Sequence, residues 1–183
     1  LDVFIPSEAR LDVNNHSDLM GARGDTRPDR LSLQRGVMMQ VINAVQPGGE
    51  QAKDFFSGPD DGPFVMVNLL KFKPFAEYPD GSDSHITGAE AYARYTVEVR
   101  KLLASYGGRS RYAGAVTGIL LGEVGELWDM IALAEYPSLA AMSEMMRCPG
   151  MQAISHHRRA GLAGQLNIRT RPHAGHEVIA EAP

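Results

Sequence analysis

The chain has 183 residues, 44% of them apolar and 22% charged, with a formal net charge of -4: the composition of one globular domain with additional segments, long enough to bury a core without covalent staples. The mildly acidic balance offers no basic face to a polyanion and argues against nucleic acid as a partner. No apolar run reaches the ~18 to 20 residues of a membrane span, the opening LDVFIPSEAR has no basic-then-apolar leader pattern, and the single cysteine, Cys148, has no internal partner, so the expectation is a cytoplasmic protein without a membrane partner. Leu1 at the first position suggests that the natural chain begins upstream.

Residues 1–61 read as an N-terminal arm and helical extension. The first thirty mix Asn14, Asn15, Gly21, Gly24, Pro28 and many charges with few apolar residues, the composition of a loosely ordered segment. An RGD triplet at Arg23 to Asp25 is short enough to arise by chance and carries no adhesion role. Leu33, Val37, Met38, Val41, Ile42 and Val45 form a helical stripe that Pro47, Gly48 and Gly49 stop; a short second helix reaches Phe56. SGPDDGP, residues 57–63, is a turn-rich linker.

Residues 62–170 form the domain proper. FVMVNLLKF, from Phe64 to Phe72, suits a buried strand, and the loop after it, with Pro74, Pro79, Asp80 and Gly81, is long enough for a lid. Residues 88–106 make a helix, with Thr87 and Glu90 spaced as a capping box, Tyr92, Tyr95, Val99, Leu102 and Tyr106 on one face, and Gly107 and Gly108 as the stop. Residues 112–121 and 127–136 read as a hairpin turning at GEVGE, closed by Pro137. Ser138 then caps a helix carrying Leu139, Met142 and Met146, which Pro149 breaks; a further turn or two covers 151–159. Cys148, at the end of that helix, is assigned a packing role, because a reactive thiolate is better served at a helix N-terminus or beside a cation. Leu162 to Thr170 is the last strand and 171–183 a tail. The order β-α-β-β-α-β predicts an α+β, ferredoxin-like sandwich.

Both helices of such a fold pack on one face of the sheet, and the other face should then be polar. Yet the first strand places Phe64, Met66 and Leu70 on one face and Val65, Val67 and Leu69 on the other, and the third alternates Met130 and Ala132 with Ile131 and Leu133. Closure against the sheet of a second copy satisfies this pattern, so the expected partner is the chain itself, as a homodimer. The alternative is that the helix of 33–45 folds over the open face.

GPFVMVNLLKF from Gly62, AYARY from Ala91, GGR from Gly107, WD at Trp128, EYPS from Glu135 and HRRAGL from His157 stand in order along the chain. Together they resemble the family called domain of unknown function 1330, which is similar to the dimeric α/β-barrel superfamily. The likeness spans Gly62 to about Ile168. It implies a ferredoxin-like fold forming a dimeric α/β barrel, and it implies no activity, since the family is uncharacterised.

Asn68 and Lys71 are polar groups in an apolar strand and must find partners or border a pocket; they point to opposite faces. The competing account is that Asn68 ties down a loop and Lys71 extends to solvent. Arg109, after two glycines, is placed to reach an anionic ligand or to pair with Glu123, Glu126 or Asp129. Trp128 offers a flat apolar surface with one donor, bordering a pocket or packing in the core. Glu135 becomes a general base if burial near Trp128 or Tyr95 raises its pKa, and otherwise pairs with a cation. His156, His157, Arg158 and Arg159 form a cationic cluster; His157 is the acid-base candidate and Arg158 the anion holder, against a solvated helix face. The sequence does not say which of His156 and His157 turns inward.

His173, His176 and Glu177 lack a second ligand pair, so no metal is expected. No phosphate-cradling glycine loop and no nucleophile elbow is present, and no cofactor is expected. Three functions follow. The first is a cofactor-independent oxygenase or isomerase acting on a small aromatic or anionic metabolite, with Asn68, Tyr95, Arg109, Trp128, His157 and Arg158 supplying base and enolate-holding donors. The second is a dimer that binds a small-molecule ligand without catalysis. The third, by analogy with superfamily members that degrade haem using an Asn, a Trp and a His, is haem binding, although Trp128 and His157 are much farther apart here.

Overall fold

A computed structural model describes residues 41–60 and 62–173. They belong to a unit running from Val41 to Pro183. Its elements are α1 (Gly49–Ser57), β1 (Phe64–Phe72), α2 (Gly88–Ser105), β2 (Arg109–Ala115), β3 (Met130–Tyr136), α3 (Leu139–Arg147), α4 (Pro149–Gly161) and β4 (Leu162–Thr170). The four strands form one sheet in the order β2-β3-β1-β4, every neighbouring pair antiparallel. The fold is the ferredoxin-like α+β arrangement expected from the element order.

Local chemistry sets most boundaries. The Thr87 and Glu90 capping box starts α2, and Gly107, at φ 76°, ends it in the left-handed conformation that glycine adopts without strain. The Ser138 side chain accepts from the Ala141 N–H to start α3. Asp60 adds a carboxylate there, accepting from the Leu139 and Ala140 N–H groups at 2.8 and 2.9 Å; these bonds to the helix terminus hold its carboxyl below the usual carboxylate range. Pro149 does not simply break a helix: it opens the 13-residue α4, because the first turn needs no N–H from it. Cys148 therefore ends α3 and caps α4, its Sγ accepting from the Met151 N–H at 3.3 Å.

The core lies between the sheet and the helices. Phe64, Met66, Tyr95, Leu103, Tyr136, Leu139, Met142, Met145 and Met151 make the main cluster; Ala76, Tyr78, Ala91 and Ala160 make a smaller one under the loop 73–87. The start of α2 and the end of α4 meet at Gly88 and Gly161, where a Cβ on either would strike the other's carbonyl oxygen.

Three expectations are corrected. The strand expected over 112–121 is β2, Arg109–Ala115, with a bulge between Ser110 and Tyr112. The strand expected from 127 starts at Met130. Residues 116–129 form a long loop with Leu120 and Leu121 exposed; Gly118, Gly122 and Gly125 weaken any strand here, and Gly122 has a φ of 87°. Finally, 41–45 are not helical: Ala44 makes an isolated β-bridge with Gln165. The remainder of that stripe, the RGD triplet, His176 and Glu177 lie outside the described residues.

Candidate functional site

Alternation along β1 sends Phe64, Met66, Asn68 and Leu70 toward the helices. The register sets Asn68 opposite Asn167 and Leu70 opposite Gln165, so two polar residues of β4 share the face of Asn68. Asn68 Nδ2 donates to the carbonyls of Ala132 (3.0 Å) and Met66 (3.2 Å), while its Oδ1 accepts from Gln165 Nε2 at 3.2 Å. Gln165, 7% exposed, also donates to Asn167 Oδ1. Its Oε1 accepts from Arg158 Nε (3.2 Å) and Nη2 (2.7 Å), and Arg158 Nη1 donates to the Val45 carbonyl at 2.8 Å. The buried Gln165 amide thus has partners at both its nitrogen and its oxygen, as a buried polar group must. Arg158, half-buried, has neutral oxygens as its hydrogen-bond partners.

This row floors a cavity of about 840 Å³ between the sheet and α1, α2 and α4. Its walls include Met66, Met130, Met142 and Met151, and the phenols of Tyr92, Tyr95 and Tyr136. Residues 41–57 close one side as a strap. The strap is held by the Ala44–Gln165 bridge (3.1 Å), by Arg158, and by Trp128, whose Nε1 donates to Asn43 Oδ1 at 3.0 Å. Gly164 lets it lie against β4, since a Cβ there would run into Asn43. Among the described residues lining the cavity there is no carboxylate and no imidazole.

The phenols stay neutral. Burial pushes Tyr92, Tyr95 and Tyr136 upward, more than the nearby Arg158 charge draws Tyr92 and Tyr95 down. Tyr95, 8% exposed, donates only to Met151 Sδ at 3.8 Å, and a thioether is a weak acceptor.

Of the residues singled out in the sequence, the cavity brings together Asn68, Tyr95 and Arg158. Lys71 lies on the opposite face, where its Nζ meets the Leu127 carbonyl (2.9 Å), Glu126 (3.0 Å) and Asp129 (3.2 Å); with Asp129 accepting from the Phe72 N–H at 2.7 Å, this cluster ties the loop 116–129 to β1. Hydrogen bonds to Glu126 and Asp129 raise the Lys71 pKa. Glu135 pairs with Arg111 on β2, and Arg109 is exposed opposite Glu135. Trp128 secures the strap rather than bordering the cavity. Neither His156 nor His157 lines it. His157 Nδ1 shares a 2.7 Å hydrogen bond with Tyr78 Oη, and the two imidazoles stand 3.9 Å apart. Burial, the His156 charge and Arg94 lower the His157 pKa. The pair pins the loop 73–87 to α4.

Gln165, Asn167, Tyr92 and Tyr136 were not among the residues expected at the site. The sequence carries a signal for the first two: in LAGQLNIRT, Gln165 and Asn167 alternate with Leu166 and Ile168, which puts a polar pair on one face of a strand. Among the described residues no three of His, Cys, Asp and Glu come together at a metal-binding distance, and no helix is long and apolar enough to cross a membrane.

Comparison with known proteins places this architecture. The family model described as domain of unknown function (DUF1330) matches residues 82–169, from the turn before α2 almost to the end of β4, leaving β1 outside. Two crystal structures are similar over most of the described chain. The methylated RPA0582 protein is 35% identical, with a TM-score of 0.67 over 73% of this chain and 97% of its own. RPA0582 itself, a protein of unknown function from Rhodopseudomonas palustris, is 35% identical, with a TM-score of 0.65 over 72% of this chain and 98% of its own. A protein of unknown function from Bacteroides fragilis, described as dimeric with a ferredoxin-like fold, is 12% identical, with a TM-score of 0.41 over 59% of this chain and 94% of its own. No curated protein matches the chain. On the family match and on relatives of this identity and coverage, the chain belongs to the family described as domain of unknown function (DUF1330).

Proposed function

We propose that the chain binds a small amphipathic molecule in the cavity between sheet and helices, and does so as a homodimer without acid-base catalysis. The observation that carries this is the lining itself: about 840 Å³ walled by methionines and aromatic rings, floored by amides and a guanidinium, with no carboxylate or imidazole among the described lining residues. That volume and that mixture suit a small organic ligand. An oxygenase or isomerase needs a base within reach of its substrate, and the two expected bases are engaged elsewhere, Glu135 with Arg111 and His157 with Tyr78. The haem reading loses support for the same reason, with Trp128 engaged by Asn43.

The outer face of the sheet supports self-association. Val67, Leu69, Ile131, Leu133 and Leu166 line it, half-buried, and none belongs to either described core cluster. Face-to-face packing against a second copy would remove that apolar surface from water. A cytoplasmic setting is consistent with the free Cys148.

Native mass spectrometry of the full chain under gentle and denaturing conditions tests both parts: the expected species is a dimer carrying one small molecule per protomer. For a chain purified empty, calorimetric titration with decanoate and with 4-nitrophenol is expected to give one site per protomer, lost when Ala134→Phe fills the cavity. A monomer overturns the assembly, and no heat from either probe up to millimolar concentration overturns the binding.

A further inference from the structure

We propose that Arg158, Tyr92, Tyr95 and Tyr136 form an oxyanion-holding site, so that the cavity takes a weakly acidic aromatic or acyl compound as its ionised form. This rests on the binding function proposed above and names its ligand class. Every charged group among the described residues lining the cavity is a cation: Arg158 and Arg159 from α4, Arg100 from α2 and Arg111 from β2. Arg111 is answered by Glu135. Arg158 has no such partner among the described residues: its hydrogen bonds there run to Gln165 Oε1 and the Val45 carbonyl, both neutral. A half-buried guanidinium without a carboxylate is costly unless an anion joins it.

The phenols supply the remaining donors. Among the described residues, Tyr136, 8% exposed and lining the cavity, has no acceptor for its hydroxyl, nor does Tyr92, and Tyr95 has only the Met151 sulfur. The three phenols and Arg158 line the same cavity, with the Tyr92 and Tyr95 rings 5.5 Å apart, and the Arg158 charge draws the Tyr92 and Tyr95 phenols down against the rise that burial causes. Because burial keeps all three protonated, each offers an O–H to an acceptor and none competes as an anion. Neutral phenols and a cation fixed in place ahead of the ligand stabilise negative charge on oxygen without having to reorganise. Asn68 and Gln165 already donate within the protein, which leaves the phenols and the guanidinium as donors beside them.

An ionisable probe tells this site from a merely apolar one. An apolar cavity favours neutral 4-nitrophenol and raises its pKa; an oxyanion site favours the yellow phenolate and lowers it. The full chain is titrated with 4-nitrophenol between about pH 5 and 9, with absorbance reporting the bound ionisation state and calorimetry reporting affinity. The expected result is a bound-probe pKa about one unit or more below that of the free probe, a phenolate preference of ~10-fold. Arg158→Met is expected to abolish that preference, Arg158→Lys to keep its sign, and Tyr95→Phe or Tyr136→Phe to reduce it about threefold each. The phenylalanine variants keep the side-chain volume and serve if Arg158→Met fails to fold. Binding with an unchanged or raised probe pKa, or the same preference in the folded variants, overturns the oxyanion site while leaving the binding function standing. Failure of both protonation states to bind overturns the two together.

Discussion

The two faces of the sheet each depart from a simple globule: the face packed on the core also carries polar side chains, and the outward face is aliphatic. The face under the helices carries the amide row Asn68, Gln165 and Asn167 amid Met66, Met130 and the tyrosines. The outward face carries Val67, Leu69, Ile131, Leu133 and Leu166, rimmed by the Lys71–Asp129 pair. Polar groups under a helical layer are costly unless they serve one another or a ligand, and an aliphatic face in solvent is costly unless something covers it. The contrast is the one expected if the inner face holds the proposed ligand and the outer face meets the proposed second copy.

Four experiments break or sharpen that contrast. Leu70, fully buried on the inner face, is a folding residue: Leu70→Ala is expected to cost about 2–5 kcal/mol in urea unfolding, by the same amount at every protein concentration. Leu69, its neighbour on the outer face, should act through association. Leu69→Lys puts a cation into the proposed interface and is expected to weaken the dimer about a hundredfold, ~2.7 kcal/mol; light scattering that still shows a dimer at micromolar concentration would sink the outer-face argument. Ser138→Ala removes a cap from the helical layer and is expected to cost about 1 kcal/mol, with oligomeric state unchanged in the same measurement.

The smallest effect concerns pH. The folded-state pKa of His157 lies below its ordinary 6.5, chiefly through burial, so between those two values the unfolded chain binds more protons than the folded one. This contribution to stability is complete above 6.5 and is lost as the pH falls from there through the folded value. Urea midpoints measured across that interval should decline in the natural chain and decline less in His157→Gln. Ligand affinity should not follow the same curve, because His157 is away from the cavity; if binding of decanoate tracks His157 titration, the separation of that cluster from the inner face is wrong.

Much of the fold was legible locally. The limits of β1 and β4, the capping box of α2 and the Ser138 cap follow from short-range alternation and from hydrogen bonds within three residues, which any window of sequence displays. The hairpin was misjudged where glycines and an exposed Ile-Leu-Leu run lengthen the loop 116–129, because apolar content alone does not separate a strand from a loop. The strap was misjudged because 41–45 owe their conformation to a bridge to Gln165, a partner more than a hundred residues away.

By itself, the sequence determined the element order, the two-sided apolar character of β1 and β3, and three residues of the candidate site, Asn68, Tyr95 and Arg158. Only the tertiary structure decided which polar groups meet. Asn68 and Gln165 are 97 positions apart and share a face because the β1–β4 register puts them there. His157 and Arg158 are adjacent, yet they part company because successive residues on a helix point about 100° apart, sending one ring to Tyr78 and one guanidinium into the cavity. Periodicity fixes direction within an element, whereas convergence depends on register and crossover between elements, and that information exists only once the chain has folded.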